Sequence, residues 1–242
     1  MRIIVGGIRL VLVLVVLAWP TLAPAGDASR LAVASGAMPG ASARPAPFAS
    51  SPLAGQPRRA NFLAEAASED ARRVADWVVA SGDNDGLPFV IIDKTGAKVF
   101  VFDNGGRLRG AAFALLGKAR GDDSAPGIGN RKLSAIRPEE RTTPAGRFVA
   151  ALGHDFQHDM LWIDYGASIS LHRVIRGTPG DHRLQRLATT SPLDKRITYG
   201  CVNVPVKFYE EIVLKTFTGT TGIVYILPDI KMIQDVFPAL LR

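Results

Sequence analysis

The sequence contains almost no cysteine: Cys201 is the only one among its 242 residues. A single cysteine excludes an intrachain disulfide framework, a Cys-x-x-Cys redox pair, an iron–sulfur cluster and a multi-cysteine zinc site. Aromatic residues are also scarce, at 7%, and charged residues make up 21% against 47% hydrophobic ones. This composition excludes a disordered, charge-rich chain. The length allows one domain with appendages, or at most two small domains.

The first 25 residues contain no acidic residue and are dominated by an apolar run. Arg2 and Arg9 precede the uninterrupted apolar run 10–19, Pro20 ends it, and small residues lead to Ala25. This pattern predicts a secretory signal peptide over residues 1–25, with cleavage after Ala25. The run is shorter than the roughly 20 residues of a membrane-spanning helix. An uncleaved anchor stays open as an alternative if the residues before Arg9 are included.

The signal peptide predicts a secreted, periplasmic protein with no stable membrane span once the signal is removed. Residues 26–60 are rich in Ala and Pro, with five prolines, which forbid a continuous helix or a central strand. We interpret this segment as a flexible linker. Residues 61–86 are predicted to form an N-terminal helix and turn, because apolar residues recur at helical spacing over 62–80 before a Gly- and Asp-rich stretch.

Residues 87–242 change to short apolar runs separated by turn residues, which predicts a mainly β domain of sandwich or barrel-like architecture. Helices are predicted only at 205–214, after the cysteine, and at 230–241, at the C-terminus. The predicted strands lie at residues 89–92, 99–102, 111–116, 147–152, 160–164, 168–174 and 223–227.

The residues around Cys201 indicate a nucleophile. A strand runs into Gly200-Cys201, and Pro205 suits the first position of a helix. We therefore expect Cys201 to lie close to a helix N-terminus, whose free N–H groups and dipole stabilise a thiolate. A thiolate next to backbone N–H donors provides both the nucleophile and the oxyanion site that acyl transfer requires.

A cysteine nucleophile needs a base, and two histidines compete for that role. His172 ends an alternating strand that also contains Ser168 and Ser170 on the same face. His182 lies in a turn-like stretch nearer in sequence to Cys201. We prefer His172 because a strand end is well placed to face a cleft, and we keep His182 as the alternative.

Several motifs resemble the L,D-transpeptidase (YkuD) family of cell-wall enzymes. The runs that carry the resemblance are Thr-Tyr-Gly-Cys-Val-Asn at 198–203, Thr-Pro-Ala-Gly-Arg-Phe at 143–148, Leu-Leu-Gly-Lys at 115–118 and the hairpin-like segment 90–103. The resemblance implies Cys201 as nucleophile and His172 as general base and acid. It also implies that the backbone carbonyl of Arg173 orients the imidazole, and that amides near Gly200 and Cys201 form the oxyanion hole.

Two features depart from the pattern of the family. Tyr199 stands where histidine is commoner, and His172 precedes Cys201 by 29 residues, a longer separation than usual. We interpret residues 178–195 as an enlarged loop over the cleft, whose basic residues could meet substrate carboxylates. The predicted substrate-binding residues are Thr198, Tyr199, Asn203 and Arg176.

The resemblance implies peptidoglycan stem peptides as substrates, with a second stem peptide, a lipoprotein or a D-amino acid as acyl acceptor. Two alternatives stay open: a carboxypeptidase or endopeptidase that uses water as acceptor, and a non-catalytic cell-wall-binding module. No cofactor or metal is expected, because His154 and His158 lack a third ligand at suitable spacing. The net charge of +7 is modest, and nucleic acid is not an expected partner.

Overall fold

The structure, a computed structural model, describes residues 58–155 and 158–241. The predicted signal peptide and most of the predicted linker lie outside the described residues, so those two assignments stay predictions. Within the described part of the chain, no helix has both the length and the apolar character needed to cross a membrane.

The domain is built mainly from β-strands, which confirms the predicted fold class. Between residues 58 and 241, as far as the structure describes them, ten strands run in chain order as β1 Phe89–Asp93, β2 Lys98–Phe102, β3 Leu108–Phe113, β4 Leu116–Gly117, β5 Gly146–His154, β6 Asp159–Asp164, β7 Ile169–Arg173, β8 Arg196–Thr198, β9 Val202–Val204 and β10 Thr221–Ile226. Eight of them form one sheet in the order β3-β2-β1-β10-β5-β6-β7-β9, and β4 pairs with β8 in a second, two-stranded sheet.

Most neighbours in the large sheet are antiparallel, but β1 with β10 and β7 with β9 are parallel. In the β7–β9 pair, His172 lies opposite Asn203 and Leu171 opposite Val202. Side chains alternate between the two faces of a strand, so His172 and Asn203 lie side by side on one face. This parallel pairing brings the predicted base next to the segment that contains Cys201.

Strand β1 is buried along its whole length because both faces of the sheet are covered. Phe89 and Ile91 belong to a core on one face, and Val90 and Ile92 belong to a core on the other. The first core is completed by helices near the two ends of the described chain, and the second by the helical segment 206–217.

The helices are α1 Glu69–Ser81, α2 Arg183–Ala188, α3 Val206–Phe208, α4 Leu214–Phe217 and α5 Ile233–Val236; a π-helical turn, Tyr209–Val213, joins α3 to α4. Single 3₁₀ turns cover Ile128–Asn130, Leu133–Ala135, Pro138–Glu140, Pro179–Asp181, Pro192–Lys195 and Pro238–Leu241.

The predicted N-terminal helix begins later than its apolar spacing suggested. Ser68 caps α1, and its hydroxyl accepts a hydrogen bond from the Ala71 amide at 3.1 Å. Gly82, at φ 74°, ends the helix in the left-handed conformation. Phe62, predicted to lie on this helix, instead packs edge-on against Phe100.

Two further boundaries differ from prediction. The predicted strand 111–116 is divided into β3 and β4, because Leu115 forms a bridge with Asn203 and Leu116 pairs with Arg196. The predicted C-terminal helix is reduced to α5 and a 3₁₀ turn beginning at Pro238, which lacks the N–H that a continuing α-helix would use.

Candidate active site

Cys201 lies between two short strands rather than at a helix N-terminus. Strand β8 leads into the loop that contains Cys201, β9 begins at the next residue, and α3 begins only at Val206. Pro205 is the N-cap of α3. The predicted helix after the cysteine is present, but β9 lies between Cys201 and its first turn, so Cys201 does not lie at the helix N-terminus as we expected.

The loop before Cys201 is held by two buried threonine hydroxyls. Thr143 donates from Oγ1 to the Gly200 carbonyl at 2.8 Å and accepts from the Gly117 amide at 2.9 Å. Thr198 donates to the Cys201 carbonyl at 2.7 Å and accepts from the Gly200 amide at 3.1 Å. Because that amide already has a partner inside the loop, it is not a free oxyanion donor here, contrary to the expected role of Gly200.

Gly200 is required by its close surroundings. Its φ of 136° lies in a region that side chains rarely adopt, and a Cβ would come within 2.7 Å of both the Thr142 carbonyl oxygen and Ile169 Cδ1. The glycine lets the loop press against β7, so that Cys201 reaches the strand that contains Ser170 and His172.

A buried lysine, Lys94, also supports the loop before Cys201. The Lys94 ammonium donates to the Thr143 carbonyl at 2.7 Å, the Gly121 carbonyl at 2.7 Å and Asp122 Oδ1 at 2.8 Å. Burial lowers the pKa of Lys94, and the hydrogen bond to Asp122 opposes this. Thr143 therefore connects this buried cation to the backbone beside Cys201.

The Cys201 sulfur makes weak contacts typical of a neutral thiol. Its Sγ donates to the Ser168 carbonyl at 3.5 Å and accepts from the Ser170 hydroxyl at 3.6 Å. Burial raises the pKa of the Cys201 thiol, and the Ser170 hydroxyl and the backbone amides of Ser170 and Cys201 only partly oppose this. We expected the environment to favour the thiolate, and in the free protein it favours the thiol.

His172 is held at both ring nitrogens. Its Nδ1 lies 2.7 Å from the Arg173 carbonyl oxygen, which is the contact that the family resemblance implies, and its Nε2 lies 3.0 Å from Asn203 Nδ2. Burial lowers the pKa of His172, the Arg173 carbonyl opposes this, and the positive charge of Arg183 lowers it further. The free protein therefore holds a neutral imidazole close to a neutral thiol.

Cys201 and His172 line the same cavity, which has a volume of about 510 Å³. Much of its wall is apolar, from Met160, Trp162, Ile175 and Val206, and Asp155, His158 and Ser170 add polar groups. A cavity that joins a nucleophile, a base and an apolar wall fits an extended organic substrate better than a small ion.

The other predicted site residues lie in different places. Thr198 is buried. The Arg141 guanidinium lies over the Tyr199 ring, with its Cζ 4.0 Å from the ring centroid. Arg176 and His182 line a separate groove of about 220 Å³ along the enlarged loop. The structure thus brings His172, and not His182, into one cavity with Cys201.

Arg173 and Asn203 have partners that limit direct contact with substrate. The Arg173 guanidinium pairs with Asp159 at 2.7 Å and Glu210 at 3.0 Å, so its side-chain charge is balanced locally. Asn203 is 1% exposed and spans from His172 to Arg183. In this arrangement Asn203 contacts the base, although we expected it to contact the substrate.

Sequence reasoning gave no role in the site to Ser170 or Lys94, and it placed Arg183 only among the basic loop residues that could meet substrate carboxylates, whereas Arg183 contacts Asn203. The alternation that places Ser170 on the His172 face was visible in the sequence, and with the β7–β9 pairing it would have placed the hydroxyl beside Cys201. The contacts of Arg183 and Lys94 depend on distant pairings, and no local pattern indicates them.

No protein-family model and no curated protein sequence matches the chain. Solved structures do match. The helical cell shape determining protein Pgp2 from Campylobacter jejuni is 15% identical with a TM-score of 0.41, over 65% of this chain and 56% of Pgp2. The catalytic domain of the E. faecium L,D-transpeptidase is 15% identical with a TM-score of 0.36, over 58% of this chain and 96% of that domain.

A third match is the L,D-transpeptidase (residues 123-326) from Xylanimonas cellulosilytica, 14% identical with a TM-score of 0.33, over 58% of this chain and 60% of that one. The chain spans little more than half the length of Pgp2. Several of the matching structures are L,D-transpeptidases, the family that the motifs resemble. Because the TM-scores are below 0.5, we transfer no activity, substrate or residue role from these structures.

Proposed function

We propose that this chain is a cysteine acyltransferase that acts on peptidoglycan stem peptides as an L,D-transpeptidase, outside the cytoplasm in the periplasm. The observation that carries the proposal is that the Cys201 thiol and the His172 imidazole share one cavity, with the imidazole held by the Arg173 carbonyl. A thiol, a base and a group that orients the base are the three parts that nucleophilic acyl transfer requires. The motifs at 143–148 and 198–203 add the substrate class.

In the proposed reaction, the Cys201 sulfur attacks the carbonyl carbon that follows diaminopimelate in a tetrapeptide stem. His172 takes the thiol proton on Nε2 and gives it to the amine of the departing D-alanine. The carbonyl oxygen becomes an oxyanion beside the sulfur, and the proposed donors to it are the Ser170 and Cys201 amides, which already act on the sulfur and oppose the rise in its pKa. The Cys201 amide thereby keeps its expected role, and the Ser170 amide replaces the Gly200 amide.

The thioester on Cys201 is then attacked by an acceptor amine, and the thiol is released. A second stem peptide as acceptor gives a 3–3 crosslink, and a lipoprotein lysine or a D-amino acid gives an attached product. Water as acceptor would make the protein a carboxypeptidase or endopeptidase, with the same first step.

A non-catalytic wall-binding module is the second candidate function. The observation that favours it is the neutral resting pair, in which burial raises the pKa of the thiol and lowers that of the imidazole. Such a module would bind a stem peptide in the Cys201 cavity without forming a thioester.

Incubation with a tetrapeptide muropeptide, followed by mass spectrometry of the products, tests the proposal. Release of D-alanine with a crosslinked dimer is the expected result, and Cys201→Ala should abolish it. His172→Ala should lower the rate by at least about 100-fold because the general base is lost. His182→Ala is the matched control and should keep the rate.

Each contrary outcome points to a different conclusion. Shortened stems without a dimer support the hydrolase, and retention of the muropeptide without any product supports the binding module. Full activity of His172→Ala, with loss in His182→Ala, would overturn the assignment of the base.

A further inference from the structure

Arg183 reaches the active site from the enlarged loop. It is the first residue of α2, its side chain is only 10% exposed, and its Nη1 donates to Asn203 Oδ1 at 3.1 Å. Asp181 Oδ2 accepts from its Nε at 2.9 Å and fixes the other side of the guanidinium. The guanidinium is therefore held in place while one of its N–H groups points at the Asn203 amide.

Along the contacts from Arg183 through Asn203 and His172 to the Arg173 carbonyl, the hydrogen-bond donors and acceptors can be assigned in only one way. A guanidinium only donates, so the Asn203 atom that faces it must be the oxygen. The Asn203 nitrogen then faces His172 Nε2 at 3.0 Å, and because an amide NH₂ also only donates, Nε2 must be the acceptor. The ring proton is left on Nδ1, which donates to the Arg173 carbonyl at 2.7 Å.

This assignment has a chemical consequence for the proposed base. The lone pair on Nε2 is the one that would receive the Cys201 proton, and in the free protein it is occupied by Asn203. An imidazolium would place an N–H of Nε2 against an N–H of Asn203. Turning the amide over would relieve that clash but would place the Asn203 NH₂ against Arg183, so Arg183 opposes both arrangements.

We propose that Arg183 is a positioning residue for His172, acting through Asn203: it keeps the Asn203 NH₂ turned toward Nε2 and so opposes protonation of Nε2 in the free protein, while the Arg173 carbonyl holds the other ring proton on Nδ1. The inference rests on the proposed function, in which Nε2 is the base. It explains why the pair rests as a neutral thiol and a neutral imidazole, and it requires Asn203 to move off Nε2 before the thiol proton can be transferred.

Other groups also face His172. Asp155 and His158 come from the connection between β5 and β6, and Ser170 and Cys201 lie on the same side. The Arg183 charge also acts on the imidazole directly, through space. The test must therefore separate the effect of Arg183 through its hydrogen bond to Asn203 from the direct effect of its positive charge on the pKa of His172.

Nitrogen NMR of the full chain labelled with ¹⁵N-histidine reads both the tautomer and the pKa of His172, which is assigned by its loss in His172→Gln. The wild type should show a proton on Nδ1 and a bare Nε2. Arg183→Met frees the Asn203 amide to turn its oxygen toward Nε2, so it should leave the proton on Nδ1 and raise the pKa of His172 by about one unit, a tenfold gain in proton affinity. Arg183→Lys, which keeps a donor and the charge, should restore most of the wild-type behaviour.

Four further variants separate the effect of the hydrogen-bond chain from the alternatives. Arg186→Met is the matched control, because Arg186 on the same helix donates to the Asp181 and Asp194 carbonyls and not to Asn203; it should leave the pKa of His172 unchanged. Asn203→Ala should itself raise the pKa of His172, and adding Arg183→Met to it should raise the pKa by less than Arg183→Met does alone. Asn203→Asp, an acceptor facing Nε2, should hold a second ring proton there and raise the pKa by more than one unit.

A wild type with its proton on Nε2 would overturn the inference. So would an Arg183→Met variant that keeps the wild-type pKa of His172, or a purely additive response of that pKa in the Asn203→Ala background. If Arg183→Met fails to fold, Asn203→Asp decides, because an unchanged pKa of His172 there contradicts the proposed role. The NMR measurement uses the free protein. Inactivity toward muropeptides would therefore contradict the proposed function without affecting the conclusion about Arg183 and His172.

Discussion

Two polar clusters lie on either side of the loop that contains Cys201, and their bonding differs. The lysine cluster, Lys94, Asp122, Arg196 and Asp229, is closed by ion pairs as short as 2.6 Å between Arg196 and Asp229 and 2.8 Å between Lys94 and Asp122. The cysteine cluster, Ser170, His172, Cys201 and Asn203, contains sulfur contacts of 3.5 and 3.6 Å and opens on a cavity.

The difference indicates a division of labour between stability and chemistry. Charged hydrogen bonds in a buried cluster hold the backbone in one geometry, because breaking any of them leaves an uncompensated charge. Weak contacts around a thiol leave the sulfur able to exchange partners during a reaction. Thr143 joins the two, since it accepts from Lys94 at its carbonyl and donates to the Gly200 carbonyl from its hydroxyl.

The largest expected effect comes from opening the lysine cluster. Lys94→Met should lower the free energy of unfolding by about 3–5 kcal/mol, because the buried Asp122 carboxylate loses its cation. Urea denaturation measures this. Lys231→Met is the control: it removes only an exposed pair with Asp123 and should cost about 0–1 kcal/mol. Equal losses in the two variants would contradict the distinction between the clusters.

The second-largest effect is expected in acid, which should weaken the lysine cluster. Burial pushes the pKa of Asp122 upward, but the amides of Asp229, Ile230 and Lys231 and the Lys94 ammonium outweigh it and hold the pKa well below its usual range. A carboxyl with a lower pKa in the folded than in the unfolded state stabilises the fold above about pH 4 and loses that contribution as the pH falls.

Unfolding free energies measured between pH 7 and pH 2 should therefore fall, with a contribution from Asp122 on the order of 2 kcal/mol. Asp122→Asn should be less stable at neutral pH and should show a flatter decline in acid. An unchanged acid dependence in Asp122→Asn would show that Asp122 does not carry the effect.

The smallest effect on stability is expected at Thr143, which joins the two clusters. Thr143→Val keeps the shape of the side chain but leaves the Gly200 carbonyl and the Gly117 amide without their buried partner. The expected cost is about 1–2 kcal/mol in urea denaturation. Because the loop before Cys201 loses its anchor, the rate of muropeptide turnover should fall as well. Thr218→Val, at an exposed hydroxyl, should change neither quantity; a loss of stability without a loss of rate would separate Thr143 from the site.

The strands that could be predicted from the sequence are those with strong local signals. Both β1 and β2 are short apolar runs joined at a turn that contains Gly96, and Asp93 Oδ1 accepts from the Gly96 amide at 2.9 Å. In contrast, β9 has only three residues, and no strand was predicted between Cys201 and the helix that was expected to begin at Pro205. Its strand conformation comes from pairing with β7, far away in sequence.

The candidate site was predictable where it depends on motif residues and not where it depends on burial. The sequence identified Cys201, His172 and the Arg173 carbonyl as partners, and the structure places all three together. The ionisation of the thiol was not predictable, because the burial that raises its pKa comes from the packing of β7 against the loop. Similarly, the position of Lys94 at the end of a strand suggests a surface residue, and Lys94 becomes buried only in the complete fold.

Covalent labelling by a carbapenem tests most directly the claim that Cys201 is the nucleophile. Intact-mass measurement and peptide mapping of the full chain should show a single adduct, on the peptide that contains Cys201, and no adduct on Cys201→Ala. An adduct that persists in Cys201→Ala, or a folded wild-type protein that forms none, would contradict the account.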